Sequence, residues 1–226
     1  MNKQIKTAII SGSISFMIGI FFHYGVDYVY SMMRSIGLTP ALPYAKERDI
    51  KTDAVDIYII PFEGFSESIA EQISATLSEE LHLNVQAALS IPLDHAFYDK
   101  DRKQYVCDSL HSPIQKSLNA LNYVTEKTCF IALLQGDMYP QKGDWNYMFS
   151  QHWPDKISVV ATERMVPYGV LDWGNAEKIY GQRLLKMVKR TIGLQYFGLK
   201  RSSDKNSIMY SPIMSAKDVD QMGASF

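Results

Sequence analysis

An uncharged stretch of twenty residues near the N-terminus, residues 7–26, is the feature that most restricts how this chain folds. It lies between Lys6 and Asp27 and is rich in isoleucine, phenylalanine and glycine. At 1.5 Å per residue, a helix of this length spans about 30 Å, which is the thickness of a bilayer's hydrocarbon core. We therefore expect residues 7–26 to form one transmembrane signal-anchor helix after a short tail, residues 1–6.

A cleaved signal peptide is the main alternative for this stretch. It would have a shorter apolar region, followed by a cleavage site of small residues. Here the stretch runs into His23, Tyr24 and Tyr28, which is typical of an aromatic belt at the membrane interface. Lys3 and Lys6 precede the stretch and favour a cytoplasmic N-terminus. The rest of the chain is then expected on the opposite, periplasmic or extracytoplasmic side.

The remaining residues, about 200, suffice for one well-buried domain. Residues 27–52 contain Gly37, Pro40 and Pro43 and are expected to be a linker, which leaves residues 53–226 as the domain. The net charge of −1 gives no general attraction to nucleic acid, so no nucleic-acid partner is expected.

The two cysteines, Cys107 and Cys129, are too few for a disulfide framework. An extracytoplasmic domain would permit one bridge between them. The sequence leaves open whether the bridge forms.

Strands alternate with amphipathic helices along the domain, and this pattern predicts an α/β (α+β) fold with a mixed sheet and packed helices. The predicted strands are residues 55–61, 85–91, 128–134 and 157–162. The predicted helices are one that begins at the capping box Ser68-x-x-Glu71, one over residues 110–121, one over about 175–196 and a short one that begins at Ser215.

Four segments, in this order, resemble the archaemetzincin family of zinc peptidases over about residues 55–222. They are Asp101-Arg-Lys-Gln-Tyr105, similar to the family's R-x-Q-Y; Gln135-Gly-Asp-Met-Tyr-Pro140, similar to its D-L-Y-P; Trp145-Asn-Tyr-Met-Phe149, similar to its N-F-V-F; and Ser207-Ile-Met-Tyr210, similar to its Met-turn. The resemblance implies a metzincin-like sheet with a Met-turn beneath a cleft.

The family's zinc motif, H-E-x-x-H-x-x-G-x-x-H-C-x-x-x-x-C-x-M, aligns without a gap on residues 191–209. Residues four apart share a helix face, so two histidines bind one zinc ion while the glutamate activates water. By this resemblance, Thr191, Gln195 and Arg201 stand at the three histidine positions and Ile192 stands at the glutamate position.

None of these residues suits the family's chemistry. A hydroxyl or an amide is a poor zinc donor, a guanidinium is always cationic, and Ile192 cannot act as a general base. Ser202 and Ser207 stand where the resemblance implies cysteines of a structural zinc site. We therefore expect no zinc and no small-molecule cofactor. Gly198 and Met209 are retained and are expected to support the fold.

His95, beside Asp94 and Asp99, is the one other group that suggests a metal site. A surface loop explains these residues equally well. No G-x-S-x-G motif and no glycine-rich phosphate loop is present.

The basic residues near the aligned motif are expected to form a solvated helix face. They are Lys186, Lys189, Arg190, Lys200 and Arg201. The alternative is that Arg201 places a fixed positive charge in the cleft and pairs with a carboxylate of a partner or of the domain itself.

The sequence therefore predicts a membrane-anchored, catalytically inactive pseudopeptidase that binds a protein or peptide partner. The candidates for the binding cleft are Thr191, Gln195, Arg201 and Tyr210. Two alternatives stay open. One is an active membrane-bound hydrolase with an unrecognised metal or non-metal site. The other is a structural subunit whose cleft is filled by its own side chains.

Overall fold

The alternating strands and helices form a layered α/β structure. The computed structural model describes residues 54–167 and 173–226, and side chains of the second segment from residue 175. These residues belong to one compact unit, Ala45–Phe226. The expected tail, transmembrane helix and linker, residues 1–6, 7–26 and 27–52, lie outside the described residues. No helix within the described segments is long and apolar enough to cross a membrane.

Eight strands and four α-helices make up the described segments. The strands are β1 Ile57–Pro61, β2 Val85–Ala87, β3 Tyr98–Asp99, β4 Gln104–Val106, β5 Cys129–Leu134, β6 Met138–Tyr139, β7 Ser150–His152 and β8 Ile157–Ala161. The helices are α1 Glu67–Leu81, α2 His111–Ser117, α3 Trp173–Gln195 and α4 Ala216–Gln221.

The main sheet has five strands in the order β2-β1-β5-β8-β7. The first four run parallel, with Ile59 opposite Ile131 and Ala132 opposite Val159, whereas β7 is an antiparallel edge strand. Every residue of β1, β5 and β8 is buried, as expected for parallel strands covered on both faces. The mixed sheet confirms the predicted fold class.

Side chains of β5 alternate between the two faces of the sheet. Phe130, Ala132 and Leu134 join the core that contains Leu110 and Ile114 around α2. The other face carries α1 on β1 and α3 on β5, β7 and β8. The long helix of the zinc-motif alignment therefore packs against the edge strand of the sheet.

Helix α1 begins two residues earlier than the capping box Ser68-x-x-Glu71 predicted. Ser66, not Ser68, is the N-cap, and its hydroxyl accepts from the Ile69 amide at 3.3 Å. The predicted helix over residues 110–121 is α-helical only in α2. A 3₁₀ turn, Cys107–Leu110, precedes α2, and another, Leu118–Ala120, follows it. The predicted cap at Ser215 is present, because its hydroxyl accepts from the Asp218 amide at 3.4 Å.

A second sheet, in the order β3-β4-β6, and the edge strand β7 were not among the predicted strands. Each of these strands has two or three residues, which is too short for an alternating apolar pattern. They exist because segments far apart in the sequence pair with each other.

Both cysteines are free and buried. The bridge that the sequence left open is therefore absent from the described domain.

Candidate functional site

The last turns of α3 carry the first two positions of the aligned motif. Thr191 is fully buried, and its hydroxyl donates to the Met187 carbonyl at 2.9 Å, one turn earlier in the same helix. Ile192 is also fully buried. The hydroxyl is thus used inside the helix and the isoleucine belongs to the core.

Gln195, at the second histidine position, lies at the end of α3 beside the edge strand. Its side-chain amide donates to the Trp153 carbonyl at 3.2 Å. The chain then turns at Gly198, whose φ of +65° is favourable for glycine, and the Leu199 amide donates to the Gly193 carbonyl at 2.8 Å. The turn separates α3 from the exposed segment that carries Arg201.

The Met-turn packs directly against α3. Met209 is 4% exposed, and a Cβ atom on Gly193 would lie 2.6 Å from its sulfur. A larger residue at position 193 would require Met209 to shift, and also Phe226, whose ring would lie 2.7 Å from that Cβ atom. Met209 therefore supports the helix between the motif positions Thr191 and Gln195.

The two serines at the structural-zinc positions are used in local turns. The Ser202 hydroxyl accepts from the Asp204 amide at 3.1 Å, and the Ser207 hydroxyl accepts from the Met209 amide at 3.1 Å. Ser202 also forms a β-bridge with Tyr210, which closes the loop between them. Hydrogen bonds hold this loop where the family's motif has cysteines.

A zinc ion does not fit these residues. A buried hydroxyl, an amide and a guanidinium offer no set of zinc ligands. Within the segments 54–167 and 173–226, no three His, Cys, Asp or Glu side chains are grouped so that they could hold a metal. That includes the cluster of Asp94, His95 and Asp99, where both carboxylates accept hydrogen bonds from nearby backbone amides.

Three basic side chains, Arg190, Arg201 and His152, influence one another electrostatically beside the edge strand. Arg190 is 5% exposed, and its Nε donates to the Tyr210 carbonyl at 3.3 Å. Burial, together with the Arg201 charge, lowers the pKa of Arg190 to about 10. Burial and the charges of both arginines lower the pKa of His152 to about 4. This imidazole is neutral at pH 7, with Nδ1 3.0 Å from the Ser158 hydroxyl.

The expectation that the basic residues near the motif form a solvated helix face is wrong for α3, because two of its lysines and Arg190 are bonded to other parts of the domain. Lys189 is 4% exposed and pairs with Glu80, and Lys186 donates to three carbonyls of Val219, Asp220 and Met222. Their partners lie far away in the sequence, which is why the local pattern suggested solvent exposure.

The segments that carry the family resemblance form one hydrogen-bonded network. The Gln104 amide donates to the Asp137 carboxylate at 2.7 Å and to the Asn146 carbonyl at 2.9 Å. The Tyr105 amide donates to the Asp137 carbonyl at 2.8 Å, and Arg102 donates to the Asn146 carbonyl at 3.0 Å. Three of the four segments are thus joined through these residues.

Arg164 extends this network towards the Met-turn. Its guanidinium contacts the Asp137 carboxylate at 2.7 Å and lies 3.7 Å from the centre of the Tyr147 ring. The Tyr147 hydroxyl donates to the Met214 carbonyl, just beyond the Met-turn. The resemblance segments therefore act as structural ties between loops.

The geometry is that of a metzincin-like α/β protein: a mixed sheet with an antiparallel edge strand, a long helix beside it and a Met-turn beneath the helix. Among metzincin-like folds, this one is archaemetzincin-like, because the solved structures that it matches are of that kind. The chain is similar to archaemetzincin from Methanopyrus kandleri, with 21% identity, a TM-score of 0.60, and coverage of 79% of this chain and 92% of that one.

Two further solved structures agree. Archaemetzincin from Archaeoglobus fulgidus, complexed with malonate, is 20% identical with a TM-score of 0.57, and covers 75% of this chain and 94% of that one. A zinc-dependent peptidase from Methanocorpusculum labreanum is 18% identical with a TM-score of 0.60, over 75% and 95% of the two chains. No family model and no curated protein matches the chain.

Sequence reasoning did not identify Arg190 and His152 as residues of the candidate site. Arg190 precedes the aligned motif by one residue, and His152 belongs to the strand that was not predicted. Neither residue gave a specific signal in the sequence, because adjacent helix positions such as 190 and 191 point about 100° apart and do not share a face.

Proposed function

We propose that this protein is a catalytically inactive, membrane-anchored pseudopeptidase that binds an extended peptide or protein segment. The complete burial of Ile192, at the position of the family's catalytic glutamate, is the observation that carries this proposal. An apolar core side chain supplies no proton acceptor, so water activation by the family's mechanism has no base here.

The outer edge of β7 is the proposed binding surface. The Phe149 carbonyl accepts from Ala161, and the Trp153 amide donates to Ile157, so both groups point towards β8. In an antiparallel ladder the backbone groups of alternate residues point the other way. Those of Ser150 and His152 therefore face outwards, where an added strand would bond to them.

A depression on the α2 side of β7 suits the side chains of such a strand. It has a volume of about 350 Å³. Its lining residues are Cys107, Asp108, Pro140, Gln141, Lys142 and Gln151. Side chains of a strand alternate between faces, so those on this side of a bound segment would enter the depression.

Metal content and peptidase activity test the absence of catalysis. The full chain, purified in detergent without a metal-affinity step, is expected to contain less than about a tenth of an equivalent of zinc, since residues 54–167 and 173–226 offer no ligand set. It is also expected to cleave no peptide. The Methanocorpusculum labreanum peptidase, treated identically, is the positive control. Near one equivalent of zinc, or cleavage that a chelator stops, would establish the hydrolase alternative instead.

Strand binding is tested with a neutral pentapeptide, acetyl-Thr-Val-Gln-Val-Thr-amide, and the full chain in detergent. Ser150→Pro removes one outward amide and is expected to weaken binding about tenfold, because one main-chain hydrogen bond is lost. Ser150→Ala keeps that amide and is the matched control. Equal affinities of the two variants, at equal thermal stability, would place the peptide elsewhere.

Membrane anchoring through residues 7–26 has its own test. The full chain is expected to stay with membranes during alkaline extraction and to move to the supernatant when Ile14 and Ile18 are both replaced by lysine, because charge in the hydrocarbon core is costly. Protease treatment of sealed vesicles then reports the side on which the domain lies. Retention of the double-lysine variant would contradict the anchor.

A further inference from the structure

Arg190 is a buried cation with no acidic partner in the described domain. Its side chain is 5% exposed, and the Tyr210 carbonyl accepts from its Nε. The ion pairs within residues 54–167 and 175–226 join other residues, and none involves Arg190 or Arg201. Because burying a charge without a counter-charge is costly, this position favours an incoming anion.

Arg201 places a second positive charge close enough to Arg190 to lower the pKa of that guanidinium. Its neighbour Ser202 is bridged to Tyr210, the residue that Arg190 contacts. Arg201 itself is exposed, and it disfavours the charged form of Arg190. Two guanidinium groups that repel each other next to solvent form a ready site for a carboxylate.

The position of this site relative to β7 indicates that a side-chain carboxylate, rather than a C-terminal one, reaches it. The His152 imidazole bonds to the Ser158 hydroxyl, and Ser158 lies on the face opposite Ile157 and Val159 of the α2-side core. That face carries α3, and the charges of Arg190 and Arg201 both act on the His152 imidazole there. On a strand added to β7, every second side chain points to this face, whereas the main chain stays in the plane of the sheet.

We propose that the segment bound along β7 presents an aspartate or glutamate side chain to Arg190 and Arg201. This inference rests on the proposed function and adds the chemical class of the partner: an extended acidic segment. The planar guanidinium of Arg190 is suited to two parallel hydrogen bonds to one carboxylate, and Arg201 adds a second cation from the solvent side.

Three pentapeptides distinguish this proposal from its alternatives. The affinity of each is measured for the full chain in detergent. Acetyl-Thr-Val-Glu-Val-Thr-amide is expected to bind about tenfold more tightly than its glutamine analogue, given the usual strength of a hydrogen bond to a charged group. The glutamine analogue with a free C-terminal carboxylate is expected to gain nothing. A gain from the free terminus alone would overturn the side-chain assignment.

The same peptides distinguish failure of the acidic-segment inference from failure of strand binding itself. Equal binding of the glutamate and glutamine peptides, both sensitive to Ser150→Pro, would overturn the acidic-segment inference and leave strand binding intact. Absence of binding by all three peptides would overturn both. A single-residue probe, N-acetylglutamate amide against N-acetylglutamine amide, reports the anion site independently of strand pairing. Only the glutamate derivative is expected to raise the melting temperature.

Two variants locate the carboxylate. Arg190→Met and Arg201→Gln are each expected to abolish the preference for glutamate, whereas Lys178→Gln, an exposed charge near the start of α3, is expected to keep it. Arg190→Met should also melt at the same temperature as the wild type or higher, since a buried unpaired charge is removed. If that variant fails to fold, the exposed Arg201→Gln decides the outcome. Full glutamate preference in both variants would overturn the site.

Discussion

The side-chain amide of Gln104 donates to the carboxylate of Asp137 over 2.7 Å, and this bond links two segments that are 33 residues apart. Gln104 is 5% exposed and Asp137 is 9% exposed. The same carboxylate also accepts from Arg164, and its other oxygen accepts from the Met138 amide at 3.0 Å. The segments that resemble archaemetzincins thus include a buried polar junction that links loops of the domain.

Removal of the Asp137 carboxylate is expected to destabilise the domain. Asp137→Ala leaves Gln104 and Arg164 without their acceptor, which should cost about 2–4 kcal/mol. Chemical denaturation of the variant measures the loss, and Asp144→Ala, an exposed aspartate nearby, is the control. A loss no greater than that of the control would mean that the junction is not structural.

Stability is expected to fall at mildly acidic pH because of His152. Its pKa in the folded protein, about 4, lies below the ordinary value of 6.5, with burial as the main cause. Between these pH values the unfolded chain binds a proton that the folded chain does not. Unfolding free energy should therefore decrease by up to about 3 kcal/mol as pH falls from 6.5 to 4.

Denaturation at a series of pH values measures this decrease. His152→Gln keeps a hydrogen-bonding side chain but cannot titrate, so it is expected to remove most of the slope. NMR of the imidazole should show it neutral at pH 6. A protonated imidazole at that pH would contradict the lowered pKa.

Ile192→Glu tests whether the position of the family's glutamate is open to solvent. Placing a carboxyl group in this fully buried site should lower the unfolding free energy by at least about 3 kcal/mol, because no hydrogen-bond partner for it lies among the described residues. Ile192→Met, which keeps an apolar side chain of similar volume, should cost about 1 kcal/mol. Equal stability of the glutamate variant and the wild type would show an open cleft and would favour the hydrolase alternative.

The two thiols are expected to react only when the domain unfolds. Burial is the main cause that raises the pKa of Cys107 to about 12 and that of Cys129 to about 11. Thiolates are the reactive form, so a disulfide exchange reagent should label both residues at the rate of unfolding. Rapid labelling of either cysteine in the native protein would contradict the burial.

The parts of the fold that were predictable are those determined by local patterns. Strands β1, β5 and β8 are long apolar runs, α3 is a long amphipathic segment, and Ser215 caps α4 through neighbours in the sequence. The short strands β4 and β7 depend on partners far along the chain, so no local periodicity indicates them.

The candidate site likewise contains residues that local spacing identifies and residues whose surroundings depend on long-range packing. The residues at the aligned motif, such as Thr191 and Gln195, were identified from spacing. The structure buries Thr191 within α3, where its hydroxyl bonds to the Met187 carbonyl, and places Gln195 against the Trp153 carbonyl just after β7. The burial of Arg190 was not predictable, because its surroundings come from β7 and from the loop that ends at Tyr210. Long-range packing, rather than helix position, determines whether such a charge is solvated.

The buried pair of Thr191 and Ile192 has a consequence for how this sequence can change over time. A histidine or a glutamate introduced alone at either position would enter a packed interior with no metal to bind, and would be removed by selection for stability. A zinc site would be gained only if several substitutions arrived together. Each single substitution towards a metal centre at this helix is therefore expected to lower stability before the complete set of ligands makes it useful.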